Sequence, residues 1–179
     1  QAYATGNKAY EEDPKAKEEI IEINRKIYAK DPSVMPLWKE TRQWSLDYFE
    51  TIYKKLGTKF DYYIFESEVA DSGKKKVLEN TPKVFEESEG AVVYKGEKVG
   101  LHTRVFINKE GLPTYEAKEI GNAFRKEELE PSNDISIIVT ANEINEYFKV
   151  IKSALGEIDK NLANKIKHIS HGMLRLPEG

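Results

Sequence analysis

Apolar residues in the first third of the chain recur at the spacing of an α-helix. The first such stripe follows Asp13-Pro14, which combines a helix-capping side chain with a proline suited to the first helical turn. Its members are Ile20, Ile23, Ile27 and Tyr28. A second stripe, which includes Trp44 and has Trp38 beside it, ends at Gly57, where glycine permits a left-handed stop. The pattern predicts two amphipathic helices, over 14–30 and 33–57, with both tryptophans packed in a core.

The period of the apolar residues then changes. Residues 60–65 are rich in aromatic and β-branched types, which favours a strand. Residues 71–76 indicate a solvated turn, and 77–87 a short helix. Two further apolar runs, 91–94 and 99–107, flank a turn that contains glycine. They predict an antiparallel hairpin.

The final third of the chain alternates between helical and strand patterns. A helix is predicted from Pro113 to about 126, and 135–140 is a nearly continuous apolar run, as expected for a strand covered on both faces in a parallel sheet. Asn142 can cap a following helix that ends at Gly156, and 166–171 returns as a strand. Strand, helix and strand at this spacing predict a crossover between parallel strands, whose ligands bind beyond the carboxyl ends of the strands. The sequence therefore predicts an α/β fold.

Composition narrows the class of protein. The chain is 39% hydrophobic and 33% charged, with a net charge of -3, so it is globular and presents no overall basic field to nucleic acid. Cysteine is absent and the three histidines lack a metal-ligand spacing, so no metal site is predicted. No apolar run has the length of a membrane span, and the first residues do not resemble a signal peptide. We therefore expect a cytoplasmic protein without membrane contact.

Three segments stand out in order along the chain, and they are 112–119, with its Pro-Thr-Tyr sequence, 139–150 and 168–179. All three resemble segments of the class I arginyl-tRNA synthetases. Residues 56–61 and 65–68 are also similar to that family's Leu-Gly-x-x-Phe-Asp and Glu-Ser segments. The resemblance thus extends over essentially the whole chain, and its specificity comes from the order and spacing of the motifs, since no single motif would be enough.

The resemblance implies part of a class I synthetase doubly wound, Rossmann-like nucleotide-binding sheet. Its parts would be an N-terminal helical segment (1–57), a strand plus connective insertion with the hairpin (58–111), and the second half of the nucleotide-binding fold (112–179). The family activates L-arginine with ATP, with Mg²⁺ expected in the full enzyme, and transfers the arginine to tRNA. The two signature motifs of the family would lie before residue 1 and after Gly179, so we expect an internal fragment that is inactive alone. The alternative is a non-catalytic binding or tRNA-interaction module derived from the same fold.

Tyr115 and Glu119 are the candidate residues for binding arginine. They are four residues apart, so on a helix both side chains lie on one face, one turn from each other. A carboxylate beside a phenol suits a planar guanidinium, although a buried tyrosine and an exposed glutamate would show the same spacing. The resemblance implies that this pair holds the arginine side chain, with Glu in place of the family's usual Asp.

The candidate residues for binding ATP lie where the two predicted strands end. They are Asn142, Glu143, His171, Gly172 and Met173. A helix start favours an anion or a polar ligand, while Asn142 as a simple helix cap is an equal alternative. The resemblance implies that 171–173 line the adenine pocket. No catalytic residue is predicted, because synthetase chemistry is attack by the substrate's own carboxylate.

Ile144 departs from the family pattern, which usually has Gln at this position. Isoleucine can neither donate nor accept a hydrogen bond. It also extends an apolar stripe with Tyr147, Phe148 and Ile151. The residue is therefore interpreted as part of the core, and one substrate contact of the family is absent.

Overall fold

The computed structural model describes residues 2–172. It divides into two compact units, one up to Asp61 and the other from Tyr62 onward. Of the last motif, 168–179, the residues 168–172 are described, whereas Met173 and the residues after it lie outside the described part of the chain. No helix among the described residues is long and apolar enough to cross a membrane.

The first unit consists of three helices, which are α1 (Ala2–Glu12), α2 (Pro14–Tyr28) and α3 (Met35–Leu56). The Asp13 carboxylate accepts hydrogen bonds from the backbone N–H of Lys15 (2.9 Å) and of Ala16 (3.3 Å), which satisfies amides at the start of α2. Gly57 ends α3 with a φ of 67°. Both predicted helices are confirmed, and α1 was not predicted.

The apolar residues of the first unit remain largely accessible. None of the described residues in α1, α2 or α3 is buried. Trp44 keeps 59% of its surface exposed and Tyr48 65%. The prediction that Trp44 packs in a core is therefore wrong for this chain.

The second unit contains both β-sheets. Its first half comprises α4 (Glu66–Glu79), β1 (Glu86–Ser88), β2 (Ala91–Tyr94) and β3 (Arg104–Ile107). Its second half comprises α5 (Tyr115–Leu129), β4 (Ser136–Ala141), α6 (Asn145–Ile158), α7 (Lys160–Lys165) and β5 (Ile166–His171). The predicted helix from Pro113 is confirmed as α5, which continues three residues beyond the expected end.

Two predictions between Gly57 and β2 are wrong. Residues 60–65 form no strand, because within the described chain they have no strand to pair with and they lead directly into α4. The predicted turn at 71–76 is the middle of α4, and the predicted helix at 77–87 ends at Glu79. Gly73 is buried against α5, so tertiary packing overrides its preference for a turn.

The antiparallel sheet has the order β1-β2-β3. Pairing of β2 with β3 confirms the predicted hairpin. Its connection is longer than expected, because Gly96–Val99 forms a 3-10 turn before β3 begins. A tighter turn, in which Glu89 and Gly90 both have positive φ, joins β1 to β2.

The parallel pair confirms the predicted strand, helix and strand unit. β4 and β5 are paired from Ser136 with Ile166 to Ala141 with His171, and α6 and α7 connect them. β4 is not covered on both faces as predicted, since Ile137 is 59% and Val139 62% exposed.

The start and end of α6 also differ from the sequence prediction. A 3-10 turn, Asn142–Ile144, precedes α6, and the cap positions are Ala141 for that turn and Ile144 for α6. Asn142 is therefore not the helix cap. α6 continues through Gly156 to Ile158.

The second unit has one buried core that joins α4, α5, α6 and the antiparallel sheet. Its fully buried side chains include Val77, Phe85, Phe106, Ile120, Val150 and Leu155. Ile144 packs against this core as a partly buried residue, which confirms its interpretation from the sequence. Because α5 and β4 both contact this core, the start of α5 and the end of β4 belong to the same compact unit.

Candidate functional site

The start of α5 is fastened to β3 by hydrogen bonds of Thr114. The Thr114 hydroxyl donates to the backbone carbonyl of Val105 (2.7 Å), and the Thr114 N–H donates to that of Phe106 (3.0 Å). Pro113 forms an isolated β-bridge with Ile107. The Pro-Thr-Tyr sequence thus anchors the first turn of α5, the helix that carries the candidate arginine-binding pair, to β3.

Tyr115 and Glu119 lie on the first turns of α5 and are both partly buried. Burial, followed by the charges of Glu119 and Glu116, raises the pKa of Tyr115 to about 12. Burial also raises the pKa of Glu119, because the charged carboxylate is poorly hydrated there. The phenol is therefore neutral at physiological pH, and it adjoins a carboxylate that gains from a cationic partner.

Protein groups provide Glu119 with little compensation. Its nearest hydrogen-bond donor is Asn122, whose side-chain nitrogen lies 3.4 Å from Oε2, at the long limit for such a bond. Within residues 2–172 no lysine or arginine forms an ion pair with it. The charge of Lys126 lowers the pKa of Glu119 and the charge of Glu66 raises it, and both effects are smaller than that of burial. This carboxylate is chemically suited to bind an external cation.

A second carboxylate on the same helix turn, that of Glu116, already has a cationic partner. Glu116 is only 5% exposed, and Arg104 of β3 donates from Nε to its Oε1 at 3.0 Å. The Arg104 guanidinium also lies over the ring of Tyr147, 3.6 Å from the centroid. This cluster, Arg104, Glu116 and Tyr147, joins β3 to the first turns of α5 and α6. The sequence did not predict this cluster, because no spacing rule relates the three positions.

The candidate ATP-binding residues lie at the carboxyl edge of the parallel pair. Ala141 and His171 form the last pair of β4 and β5, so Asn142 and Gly172 follow it directly. Asn142, Glu143, His171 and Gly172 are all exposed. The His171 Nδ1 lies 2.8 Å from the carbonyl oxygen of Gly172. Four of the five predicted residues therefore come together, and Met173 is outside the described residues.

His168 of β5 contacts both β4 and α6 close to this edge. Its Nε2 lies 2.7 Å from the Thr140 hydroxyl, and its ring stacks on Phe148 with centroids 4.3 Å apart. Burial lowers the pKa of His168, so the imidazole is neutral at physiological pH. These contacts tie the parallel pair to α6.

Both candidate groups lie at the same end of the second unit. The Arg104 cluster connects the start of α5 to the start of α6, which follows the end of β4. At the opposite end Lys126, in the last turn of α5, donates to the hydroxyl of Ser136 at the start of β4 (3.2 Å). α5 therefore runs antiparallel to β4, and Tyr115 lies toward the edge at which Asn142 emerges.

Two solved structures whose fold is similar to that of this chain are described as arginyl-tRNA synthetases. The enzyme from Plasmodium falciparum superimposes with a TM-score of 0.71 at 19% identity, over 88% of this chain and 28% of that one. A putative arginyl-tRNA synthetase from Campylobacter jejuni gives a TM-score of 0.58 at 19% identity, over 87% of this chain and 36% of that one. The mixed α/β fold of this chain is thus one that occurs within arginyl-tRNA synthetases. No protein-family model matches the chain.

Curated proteins that are more similar to this chain in sequence are also arginine–tRNA ligases. An arginine–tRNA ligase of Porphyromonas gingivalis is 33% identical over 163 residues, which are 90% of this chain and 27% of that protein. One from Flavobacterium psychrophilum is 32% identical over 179 residues, 96% of this chain and 30% of that protein. The resemblance to arginyl-tRNA synthetases is therefore confirmed, and the chain spans about 27 to 30% of the length of these relatives.

Proposed function

We propose that the second unit carries the arginine-binding side chains and part of the ATP site of an arginine–tRNA ligase. The observation that carries the proposal is the state of Glu119. It is a partly buried carboxylate with a raised pKa, it has no ion-pair partner in residues 2–172, and it lies beside the neutral phenol of Tyr115. A substrate guanidinium would supply the missing positive charge through charge-assisted hydrogen bonds.

Arrangement of the two candidate groups at one edge supports the same function. Arginine held by Tyr115 and Glu119 would direct its carboxylate toward a nucleotide bound near Asn142, Glu143 and 171–173. The substrate carboxylate then attacks the α-phosphorus of ATP and pyrophosphate leaves. The residues of this chain would contribute by positioning the reactants, which can account for a large part of a rate enhancement. tRNA would then receive the arginyl group.

The finer description of the fold belongs to the same proposal. The parallel pair would be part of a doubly wound, Rossmann-like sheet, and the antiparallel sheet a connective insertion within it. The helical segment 1–57, the insertion 58–111 and the half-fold 112–179 would be its successive parts, acting in the cytoplasm. No three or more His, Cys, Asp or Glu within residues 2–172 are grouped so as to hold a metal, so we assign no ligand here to the Mg²⁺ that accompanies ATP.

Glu119→Gln in the full-length protein tests the arginine site. The change keeps size and hydrogen bonding but removes the charge that pairs with the guanidinium. Loss of one partner of a desolvated charge pair costs enough that kcat/KM for arginine should fall about thirty-fold or more in ATP–pyrophosphate exchange. The KM for ATP should stay within about twofold, because adenine is assigned to the strand ends.

Glu128→Gln is the matched control on the same helix. Glu128 is exposed and its only described ion pair is with Arg125, so the same substitution there should leave arginine kinetics unchanged. Equal effects of the two variants would contradict a specific contact. Absence of arginine-dependent exchange in the unaltered full-length protein would instead support the alternative, a non-catalytic binding module.

A further inference from the structure

We propose that Arg104 is a positioning residue for adenylate formation, acting through Glu116 and Tyr147. The inference rests on the proposed function and adds a residue that touches neither substrate. Arg104 lies on β3, outside both candidate groups. It contacts α5, which carries the arginine-binding pair, and α6, which follows Asn142 and Glu143.

The contacts of Arg104 are directional on both sides. Its Nε donates to Glu116 Oε1 at 3.0 Å, which fixes the edge of the guanidinium. Its Cζ lies over the Tyr147 ring, 3.6 Å from the centroid, in a cation–π contact that depends on where the guanidinium sits above the ring. Lysine could provide a charge to Glu116 but neither the planar stacking nor the fork of donors.

Burial makes Glu116 depend on this bridge. Glu116 is 5% exposed and forms no other ion pair among the described residues, whereas the Arg104 side chain keeps 29% of its surface in solvent. Tyr115 adjoins Glu116 in sequence and Glu119 lies one turn further along α5. On the other side, Tyr147 belongs to the first turn of α6, a short distance after Asn142 and Glu143.

The bridge therefore sets the distance between the arginine pair and the nucleotide edge. Loss of Arg104 would leave each binding group intact but allow the two helix starts to shift relative to each other. A displacement of about 1 Å between reactants can cost about a hundredfold in rate. The expected signature is a lower kcat with little change in either KM.

Arg104→Met in the full-length protein tests this by ATP–pyrophosphate exchange. We expect kcat to fall about ten- to a hundredfold, with the KM values for arginine and ATP within about threefold. Arg104→Lys should recover only part of kcat. Tyr147→Phe, which keeps an aromatic face, should stay near the unaltered rate, whereas Tyr147→Leu should resemble Arg104→Met in direction.

The double variant Arg104→Met/Glu116→Met separates positioning from folding. It removes the unpaired buried charge, so thermal stability should recover relative to Arg104→Met, but the bridge is still missing and kcat should remain low. Recovery of kcat along with stability would overturn the proposal, as would an unchanged kcat in Arg104→Met. Loss of arginine affinity alone, as expected for Glu119→Gln, would also overturn it. An unaltered full-length protein without exchange would refute the proposed function itself, and the positioning role with it.

Discussion

Gly121→Ala is expected to destabilise the second unit by about 3 kcal/mol, the upper end of the usual cost of overpacking. A Cβ at Gly121 would overlap the carbonyl oxygen of Val69 and lie 2.8 Å from the backbone nitrogen of Gly73. Both obstacles are backbone atoms of α4, so no side chain can rotate away and the two helices must separate. The midpoint and slope of urea unfolding, followed by circular dichroism, measure the loss.

Gly156→Ala is the matched control. Gly156 is also a helical glycine of the second unit, but the nearest atom to an added Cβ is the Ala163 Cβ at 3.8 Å, an ordinary contact. Alanine there should be neutral or stabilise by up to about 1 kcal/mol, because it has the better helix propensity. If Gly121→Ala were as harmless as this control, α4 and α5 would not be in backbone contact.

Arg104→Met should also destabilise the second unit strongly, by about 3 kcal/mol. Removal of one partner from a buried pair leaves an uncompensated charge, here the carboxylate of Glu116 with a side chain 7% exposed. We take the lower end of the usual cost, because the Arg104 side chain keeps 29% of its surface in solvent. The measurement is again urea unfolding at neutral pH.

A double-mutant cycle identifies the origin of that loss. With Glu116→Met added, the buried charge is gone and stability should return to within about 1 kcal/mol of the unaltered protein. Simple additivity of the two single changes would show that the ion pair contributes nothing, and that each side chain acts through its own packing.

The elements predicted correctly from the sequence are those with local signals. The start of α2 follows from Asp13-Pro14, the end of α3 from Gly57, and the parallel pair from apolar runs separated by a helical stripe. Each signal operates through backbone chemistry within a few residues. These signals also placed Tyr115 and Glu119 on one helix face.

The errors arose where distant packing decides the structure. The segment 71–76 contains glycine and three lysines, which indicates a turn, but Gly73 permits the close approach of α4 to α5 and the helix continues. Residues 60–65 have strand composition without a described strand beside them. No short-range pattern carries either fact.

The site was predictable only in part for the same reason. Spacing brought Tyr115 together with Glu119, and strand order brought Asn142 near His171. Arg104 is twelve residues from Glu116 in the sequence and further from Tyr147. It lies in the antiparallel sheet, whereas the candidate ATP-binding residues follow strands of the parallel pair. Only the folded chain shows that these three meet.

The exposed face of β4 has a consequence for handling this polypeptide. Residues 136–140 carry no charge and no proline, they combine β-branched residues, and Ile137 and Val139 point outward. Within the described residues the parallel sheet has only two strands, so β4 and β5 each present an unpaired edge. Such an edge beside an apolar face is a template for intermolecular strand addition. Aggregation of this polypeptide in concentrated solution would therefore begin at β4, and a lysine at the outward position of Val139 would suppress it.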